Sequence, residues 1–246
     1  MLPPPPADLL DGAALFLDFD GTLVELAATP AAIVVPASLK ALLPRLAAAL
    51  DWRLAIVSGR AAHEIVRYLA LDPAAPGIAI AGSHGLERVH PDGRREAPAP
   101  SAGVMMATAA LRRATAAMPG AAVEEKPFGA ALHYRLAPAR AAECEALAER
   151  VAAETDLHLQ RGKMVAELRM SGVDKGGAVA ALLAEAPMRG HRPIFVGDDL
   201  TDEAGFRAAD AAGGAGILVG EREGSAARYA LPDVGAVVAW LERATG

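Results

Sequence analysis

The sequence predicts an α/β protein with a parallel sheet, interrupted by an inserted α+β domain. Three observations carry this. Short apolar runs without helical period alternate with helix-compatible stretches in the first hundred residues and again after Asp174. Polar residues stand directly at the ends of those runs, where open parallel sheets place ligands. Between about residues 101 and 171 the order changes to helix–hairpin–helix–hairpin. The predicted division is therefore a core of residues 1–100 and 172–246, with 101–171 as the insertion.

Each element has its own reason. Residues 13–18, AALFLD, read as a buried strand broken by Asp20-Gly21-Thr22. Residues 38–50 read as a helix with Ser38 as N-cap, and 53–57, RLAIV, as a second buried strand ending at Ser58-Gly59-Arg60. A helix over 61–69 leads to a third strand at 78–81 and to Gly82-Ser83-His84-Gly85. Residues 87–100 are polar and rich in proline and glycine, a hairpin or linker. In the insertion, 104–118 and 139–154 are helical. Residues 121–126 with 130–135, and 157–160 with 164–169, pair as hairpins, the second turning at Arg161-Gly162-Lys163. The core resumes with a helix at 175–185, a strand at 193–196, short strands at 216–219 and 228–231, and a closing helix at 234–243.

Composition narrows the function. The chain has 246 residues, 53% of them hydrophobic, and a formal net charge of −6. It buries a sizeable core without staples, and its acidic balance argues against nucleic acid as the main partner. The lone Cys144 excludes an internal disulfide and a cysteine-built zinc site, and fits a reducing, cytoplasmic setting. No apolar run approaches the roughly 20 residues that span a bilayer. The opening MLPPPPADLLDG lacks the basic and apolar regions of a secretory signal, so none is expected. Arginine is the default cation: of 24 basic residues only Lys40, Lys126, Lys163 and Lys175 are lysines. Where arginine is the rule, a lysine raises the question of a compact point charge.

Four polar clusters carry chemistry. In Asp18-Phe19-Asp20-Gly21-Thr22-Leu23, two carboxylates two residues apart follow a buried strand and repel unless a cation or proton lies between them. Such a pair suits a nucleophile, an acid/base and a magnesium ion, or else two loop aspartates capping a helix. Ser58-Gly59-Arg60 offers a hydroxyl and backbone N–H groups to a phosphate oxygen, or Ser58 is an ordinary helix cap. Lys175 stands at a helix start, where the dipole favours anions; it is either a charge for phosphate and a nearby carboxylate, or an exposed lysine. Asp198, Asp199, Asp202 and Glu203 crowd four acids into six positions after a strand, a hard-oxygen site for magnesium or a solvated acidic turn with Asp202 and Glu203 opening a helix.

Taken in order, DFDGTL, Ser58, Lys175 and GDDLTD resemble the four motifs of the haloacid dehalogenase superfamily of phosphohydrolases, with an insertion where its larger caps lie. The segments LDFDGTL, VSGR, GSHGLE, VEEKPFGAALHYR, AELR, DKGGAV and VGDDLTDEAGF, spanning residues 17–206, resemble more closely the trehalose-6-phosphate phosphatase family. Asp174 departs from that pattern, which often has asparagine before the lysine.

The resemblance implies a Rossmann-like haloacid dehalogenase core with an inserted cap and a magnesium-dependent phosphatase acting on trehalose 6-phosphate. Asp18 is then the nucleophile that forms an aspartyl-phosphate, and Asp20 the acid/base. Ser58 and Lys175 hold the phosphoryl oxygens. Magnesium is held by the Asp18 carboxylate, the Asp20 carbonyl and Asp198, with Asp202 behind them and Asp199 unassigned. Asp18, Asp20, Gly21, Arg60 and His84 contact substrate on the core side, His84 at the junction with the cap. Glu124, Lys126 and Glu167 in the cap grip sugar hydroxyls, which both donate and accept; the bland alternative is that Glu124 and Glu167 are solvated strand faces. A trehalose-phosphate synthase is an implied partner. His133 reads as a packed strand residue, His63, His90, His158 and His191 as surface, and Cys144 as a core thiol. Two other functions fit the residues: a phosphatase for another sugar phosphate (sucrose phosphate or mannosyl-3-phosphoglycerate), and a non-catalytic domain that binds a sugar phosphate and regulates a partner.

Overall fold

The computed structural model describes residues 2–27, 32–99, 101–162 and 164–245. The chain divides into two compact units, one of residues 1–97 and 173–246, the other of residues 98–172. No helix among the described residues is long and apolar enough to cross a membrane.

In the larger unit, Ala14–Leu17 forms β1, every residue of which is buried. A strand buried on both faces needs apolar residues at every position, which is why ALFL shows no alternation. Its odd and even side chains nevertheless serve different layers. Leu15 and Leu17, with Leu54 and Ile56 of β2 (Leu54–Val57), pack against α1 (Ala37–Ala49) and α2 (Ala62–Leu69). Ala14, Phe16, Ala55 and Val57 face the other way, with Ala79 and Ala81 of β3 (Ala79–Gly82). Beyond β3 the hairpin β4 (Glu87–Val89) and β5 (Arg95–Glu96) runs antiparallel to it. After the smaller unit come α5 (Lys175–Leu183), β10 (Pro193–Gly197), α6 (Asp202–Ala211), β11 (Ala215–Val219), β12 (Tyr229–Leu231) and α7 (Val234–Arg243). Helices α5 and α6 cover the second face through Val179, Leu182 and Phe206, while Trp240 and Leu241 of α7 join the first.

The strand order is β12-β11-β10-β1-β2-β3-β4-β5, parallel from β12 to β3. The chain winds outward from β1 through β2 and β3 on one side, and from β10 through β11 and β12 on the other. The order reverses between β1 and β10, so their carboxyl ends flank a crevice that no crossover helix closes.

The smaller unit is an antiparallel sheet, order β6-β7-β9-β8, with two helices on one face. Its strands are β6 (Ala122–Lys126), β7 (Gly129–His133), β8 (Leu157–Gly162) and β9 (Val165–Met170). Ala130, Leu132, Ala166 and Leu168 meet Val104, Ala107 and Leu111 of α3 (Ala102–Thr115), and Cys144, Leu147 and Val151 of α4 (Ala141–Ala153). By the period of two, Glu124, Lys126, His133, Glu167 and Arg169 share the opposite face.

The structure corrects several sequence expectations. Helix α1 begins at Ala37 with Pro36 at its cap, so Ser38 lies inside the first turn and caps nothing; proline's fixed φ sets the helix entry instead. Helix α6 is missing from the expected order of elements, and only the alternative reading of the acidic turn, with Asp202 and Glu203 opening a helix, allows for it. His90 is buried rather than on the surface, between Glu96, Glu185 and Arg94. Lys163, in the expected turn between β8 and β9, lies outside the described residues, as do Met1 and Pro100 of other expected segments.

Candidate active site

Asp18 follows β1 directly, and its backbone N–H donates to the Val196 carbonyl of β10 at 2.9 Å. The carboxylate therefore emerges at the reversal of strand order. Lys175, the first residue of α5, meets it there: its Nζ lies 2.8 Å from Asp18 Oδ1 and 2.6 Å from Asp202 Oδ1. All three side chains are 5% exposed or less. Lys175 is thus a buried charge between two buried carboxylates, not a surface lysine. The Asp202 oxygens are both engaged, since Oδ2 accepts the Asp199 backbone N–H at 2.8 Å. Asp202 and Glu203 open α6 as the sequence allows, yet both are buried rather than solvated.

Asp198 directly follows β10 beside this triad. Asp18, Asp198 and Asp202 bring carboxylate oxygens within 4.8 Å of one another. A cradle of small size holds Asp198: a Cβ built on Gly21 would lie 2.2 Å from Asp198 Oδ2, and Gly21 has φ +75°, so only glycine serves there. A Cβ on Gly197 would fall 2.2 Å from Asp202 Cγ, a second close approach that glycine permits. The Asp198 carboxylate receives a 3.5 Å hydrogen bond from Thr22 Oγ1, a fully buried hydroxyl.

The electrostatics follow. Burial, then the neighbouring Asp202, pushes the Asp18 carboxyl well up, against the pull of Lys175. Burial alone would lower Lys175, but Asp18 and Asp202 outweigh it and hold the ammonium protonated. Burial and then Asp202 push Asp198 up to about 6. Three carboxylates against one ammonium leave two negative charges, and hard oxygens from Asp18 and Asp198 fit a divalent magnesium ion.

Asp20 and Arg60 form a bidentate pair, Nε to Oδ2 at 2.7 Å and Nη2 to Oδ1 at 2.8 Å. Arg60 also lies over the Tyr68 ring at 5.2 Å. Its guanidinium is raised further: burial works against it, and the Asp20 carboxylate more than compensates. Ser58 ends β2, is 1% exposed, and accepts the Arg60 backbone N–H at 3.1 Å. It does not cap α2, whose flanking residue is Ala61. Glu87 takes that role from a distance, accepting from Ala62 N and Ser83 Oγ, each at 2.9 Å. Sequence reading missed Glu87 because its work is a tertiary contact across the β3–β4 turn. Ser83 and His84 both have positive φ, 51° and 58°. Their backbone N–H groups donate to the Arg60 and Ser58 carbonyls at 2.7 and 2.9 Å, which ties the two loops together. The His84 ring lies against Gly59, 2.7 Å from where its Cβ would be. Such left-handed backbone persists only where its surroundings enforce it.

On the open face of the smaller unit, Lys126 Nζ donates to Glu167 Oε2 at 2.9 Å. Their side chains are 25% and 16% exposed. His133 Nε2 lies 2.7 Å from Glu124 Oε2, diagonal across β6 and β7. Glu124 and Glu167 are therefore half-buried partners rather than free solvated faces. His133 is a polar member of that face, not a packed core residue, while Cys144 is buried in the core as expected. Asp174 caps α5 by accepting the Gly177 N–H at 2.8 Å, a role asparagine fills equally.

A second group, His90, Glu96 and Glu185, lies at the other end of the large sheet, where β4 has run back from the crevice. Arg88 and Arg94 already supply its cations.

Comparison with known proteins gives one family. The family profile described as Trehalose-phosphatase matches residues 16–234. A probable trehalose-phosphate phosphatase of Sinorhizobium fredii is 46% identical over 213 residues, 86% of this chain and 79% of that protein. The trehalose-6-phosphate phosphatase of Escherichia coli is 38% identical over 234 residues, 94% and 86% of the two chains. A crystal structure of a trehalose-6-phosphate phosphatase related protein superposes with a TM-score of 0.77 at 28% identity, covering 94% of this chain and 96% of that one. The chain belongs to the trehalose-phosphatase family, built here on a Rossmann-like parallel sheet.

Proposed function

We propose that this protein hydrolyses trehalose 6-phosphate to trehalose and phosphate, with magnesium, through an aspartyl-phosphate on Asp18. The buried Asp18–Lys175–Asp202 triad beside Asp198 carries the reading, because a binding domain has no use for so costly a cluster of charge. An Asp18 oxygen attacks phosphorus as the bond to the sugar oxygen breaks, and Asp20 passes its proton to that oxygen. Asp20, now a carboxylate, takes a proton from water; the water oxygen attacks phosphorus, and the bond to Asp18 breaks. Ser58 and Lys175 hold the phosphoryl oxygens. The Asp18 carboxylate, the Asp20 carbonyl and Asp198 would hold magnesium, which supplies positive charge to the phosphoryl oxygens. Asp202 orients this set through Lys175 and the Asp199 amide. Arg60 keeps Asp20 in place until a phosphate dianion competes for the guanidinium. Gly21 and His84 line the same crevice.

The smaller unit, residues 98–172, supplies sugar recognition. Glu124, Lys126 and Glu167 present donors and acceptors suited to vicinal hydroxyls; Lys126 is already paired with Glu167 and Glu124 with His133, so that an incoming hydroxyl exchanges rather than orphans them. A cytoplasmic setting suits the buried free thiol, and a trehalose-phosphate synthase would supply the substrate.

The test is phosphate release with magnesium from trehalose 6-phosphate, sucrose 6-phosphate, glucose 6-phosphate and mannosyl-3-phosphoglycerate, with Asp18→Asn alongside. Trehalose 6-phosphate should be strongly preferred, and Asp18→Asn should lose at least about 10³-fold. Preference for another substrate keeps the chemistry and overturns the roles of Glu124, Lys126 and Glu167. No release from any of them favours the regulatory binding domain instead.

A further inference from the structure

Asp198 is held less by its side chain than by its backbone. Its carboxylate has the long contact from Thr22 and one from its own backbone N–H, so its aim depends on the backbone, above all on the peptide unit between Asp198 and Asp199. That unit is gripped at both ends. Its N–H, from Asp199, donates to Asp202 Oδ2 at 2.8 Å. Its carbonyl, from Asp198, accepts from Arg222 Nη2 at 2.6 Å. A planar peptide held at both poles fixes ψ of Asp198, and with it the direction in which the carboxylate leaves the strand.

We infer that Arg222 is a positioning residue for Asp198, acting through this carbonyl; the inference rests on the reading of Asp198 as a magnesium ligand. Arg222 lies on the loop after β11, outside every motif of the sequence, and that loop is itself anchored. Buried Glu203 faces Arg222 Nη1 at 3.4 Å through Oε1, and accepts the Ala226 N–H at 2.8 Å through Oε2. Glycines at positive φ, Gly220 and Gly224, turn the chain on either side of Arg222. Glu203 and Asp202 are neighbours in the first turn of α6, so one helix start secures both grips on the peptide, one directly and one through Arg222.

The charge of Arg222 has the wrong sign for attraction to a cation, and this makes the inference testable by direction. An unpaired guanidinium beside a divalent ion repels it, so removing a residue that acted only as charge would tighten metal binding. Glu203 offsets that charge, leaving the hydrogen bond as the contribution. Removing a residue that positions a ligand weakens binding, and loss of such a supporting partner typically costs 10- to 100-fold, so about 10-fold is expected here.

The experiment is calorimetric titration of Mn2+ into the substrate-free full chain, with the rise in Tm on adding Mg2+ as a second readout. Arg222→Met keeps the apolar stem and removes charge and donors. It should weaken Mn2+ binding about 10-fold and shrink the Mg2+-induced rise in Tm. Arg222→Lys keeps the charge and one donor and should fall between Arg222→Met and the parent. It also serves if Arg222→Met does not fold. Affinity that is unchanged or tighter in these variants, while Asp198→Asn abolishes binding, overturns the inference and leaves the site reading intact. Unchanged affinity in Asp198→Asn overturns the reading of the site itself.

Discussion

The charged residues of the two units obey different rules. In the crevice of the larger unit, Asp18, Lys175 and Asp202 are 5% exposed or less, each held by at least one partner at 2.6 to 2.8 Å. On the open sheet face of the smaller unit, Lys126, Glu167, His133 and Glu124 make equally short contacts but keep between 16% and 34% of their side chains exposed. Buried ions are costly to assemble and cannot be re-paired by water, so they stay where folding puts them. Half-exposed pairs are worth little to stability and exchange partners readily. The first arrangement suits bond-making, where charge must already be in place. The second suits recognition of a hydrated sugar, where contacts are traded for hydroxyls.

The largest test of this contrast is Lys175→Met. It leaves Asp18 and Asp202 without their cation, so unfolding free energy should fall by about 3–5 kcal/mol and phosphate release should be lost. Adding Asp202→Asn should restore part of the stability, read by urea unfolding, and none of the activity. A fully active Lys175→Met enzyme would dissolve the distinction between the units.

A smaller effect is expected on the open face. Lys126→Ala or Glu167→Gln should change stability by no more than about 1 kcal/mol. Each should raise KM for trehalose 6-phosphate roughly 10- to 100-fold, the worth of a charged hydrogen bond. Turnover of p-nitrophenyl phosphate, which carries no sugar, should not change. Equal losses on both substrates would mean the pair is structural.

The smallest effect is in pH. Asp198 sits at about 6 in the folded chain against an ordinary 3.8, so between those values the folded state holds more protons than the unfolded one. Its contribution to metal-free stability is present below about pH 4 and lost as pH rises through about 6. Melting of the metal-free chain across that window should show the decline, and Mg2+ at pH 7 should reverse it. Below pH 6, protons should compete with the metal and raise the Mg2+ concentration needed for half-maximal activity. A flat Mg2+ requirement from pH 5 to 7 would separate Asp198 from the metal.

Much of this was legible without coordinates. Both-face burial writes uninterrupted apolar runs, so β1, β2 and β10 are plain in ALFL, LAIV and PIFVG, and the polar residues after them lie at one sheet end. Asp18, Ser58 and Asp198 stand out because they follow such strands, and Lys175 because a lysine opens a helix. Lysine scarcity singled out four residues, of which Lys126 and Lys175 take carboxylate partners while Lys163 lies outside the described residues. What the linear chain could not carry were contacts between distant segments. Ser38 looked like a cap, yet Pro36 starts α1; Glu87 caps α2 across 25 residues. His90 offered no spacing cue, because its partners come from the next strand and from the end of α5. Arg222 belongs to no pattern and reaches Asp198 across 24 residues. The residue types and strand ends were determined by local sequence, since burial and chain direction act on neighbours. The pairing of charges was decided only by tertiary structure, since an ion's partner is set by distance in space and by the water excluded between them.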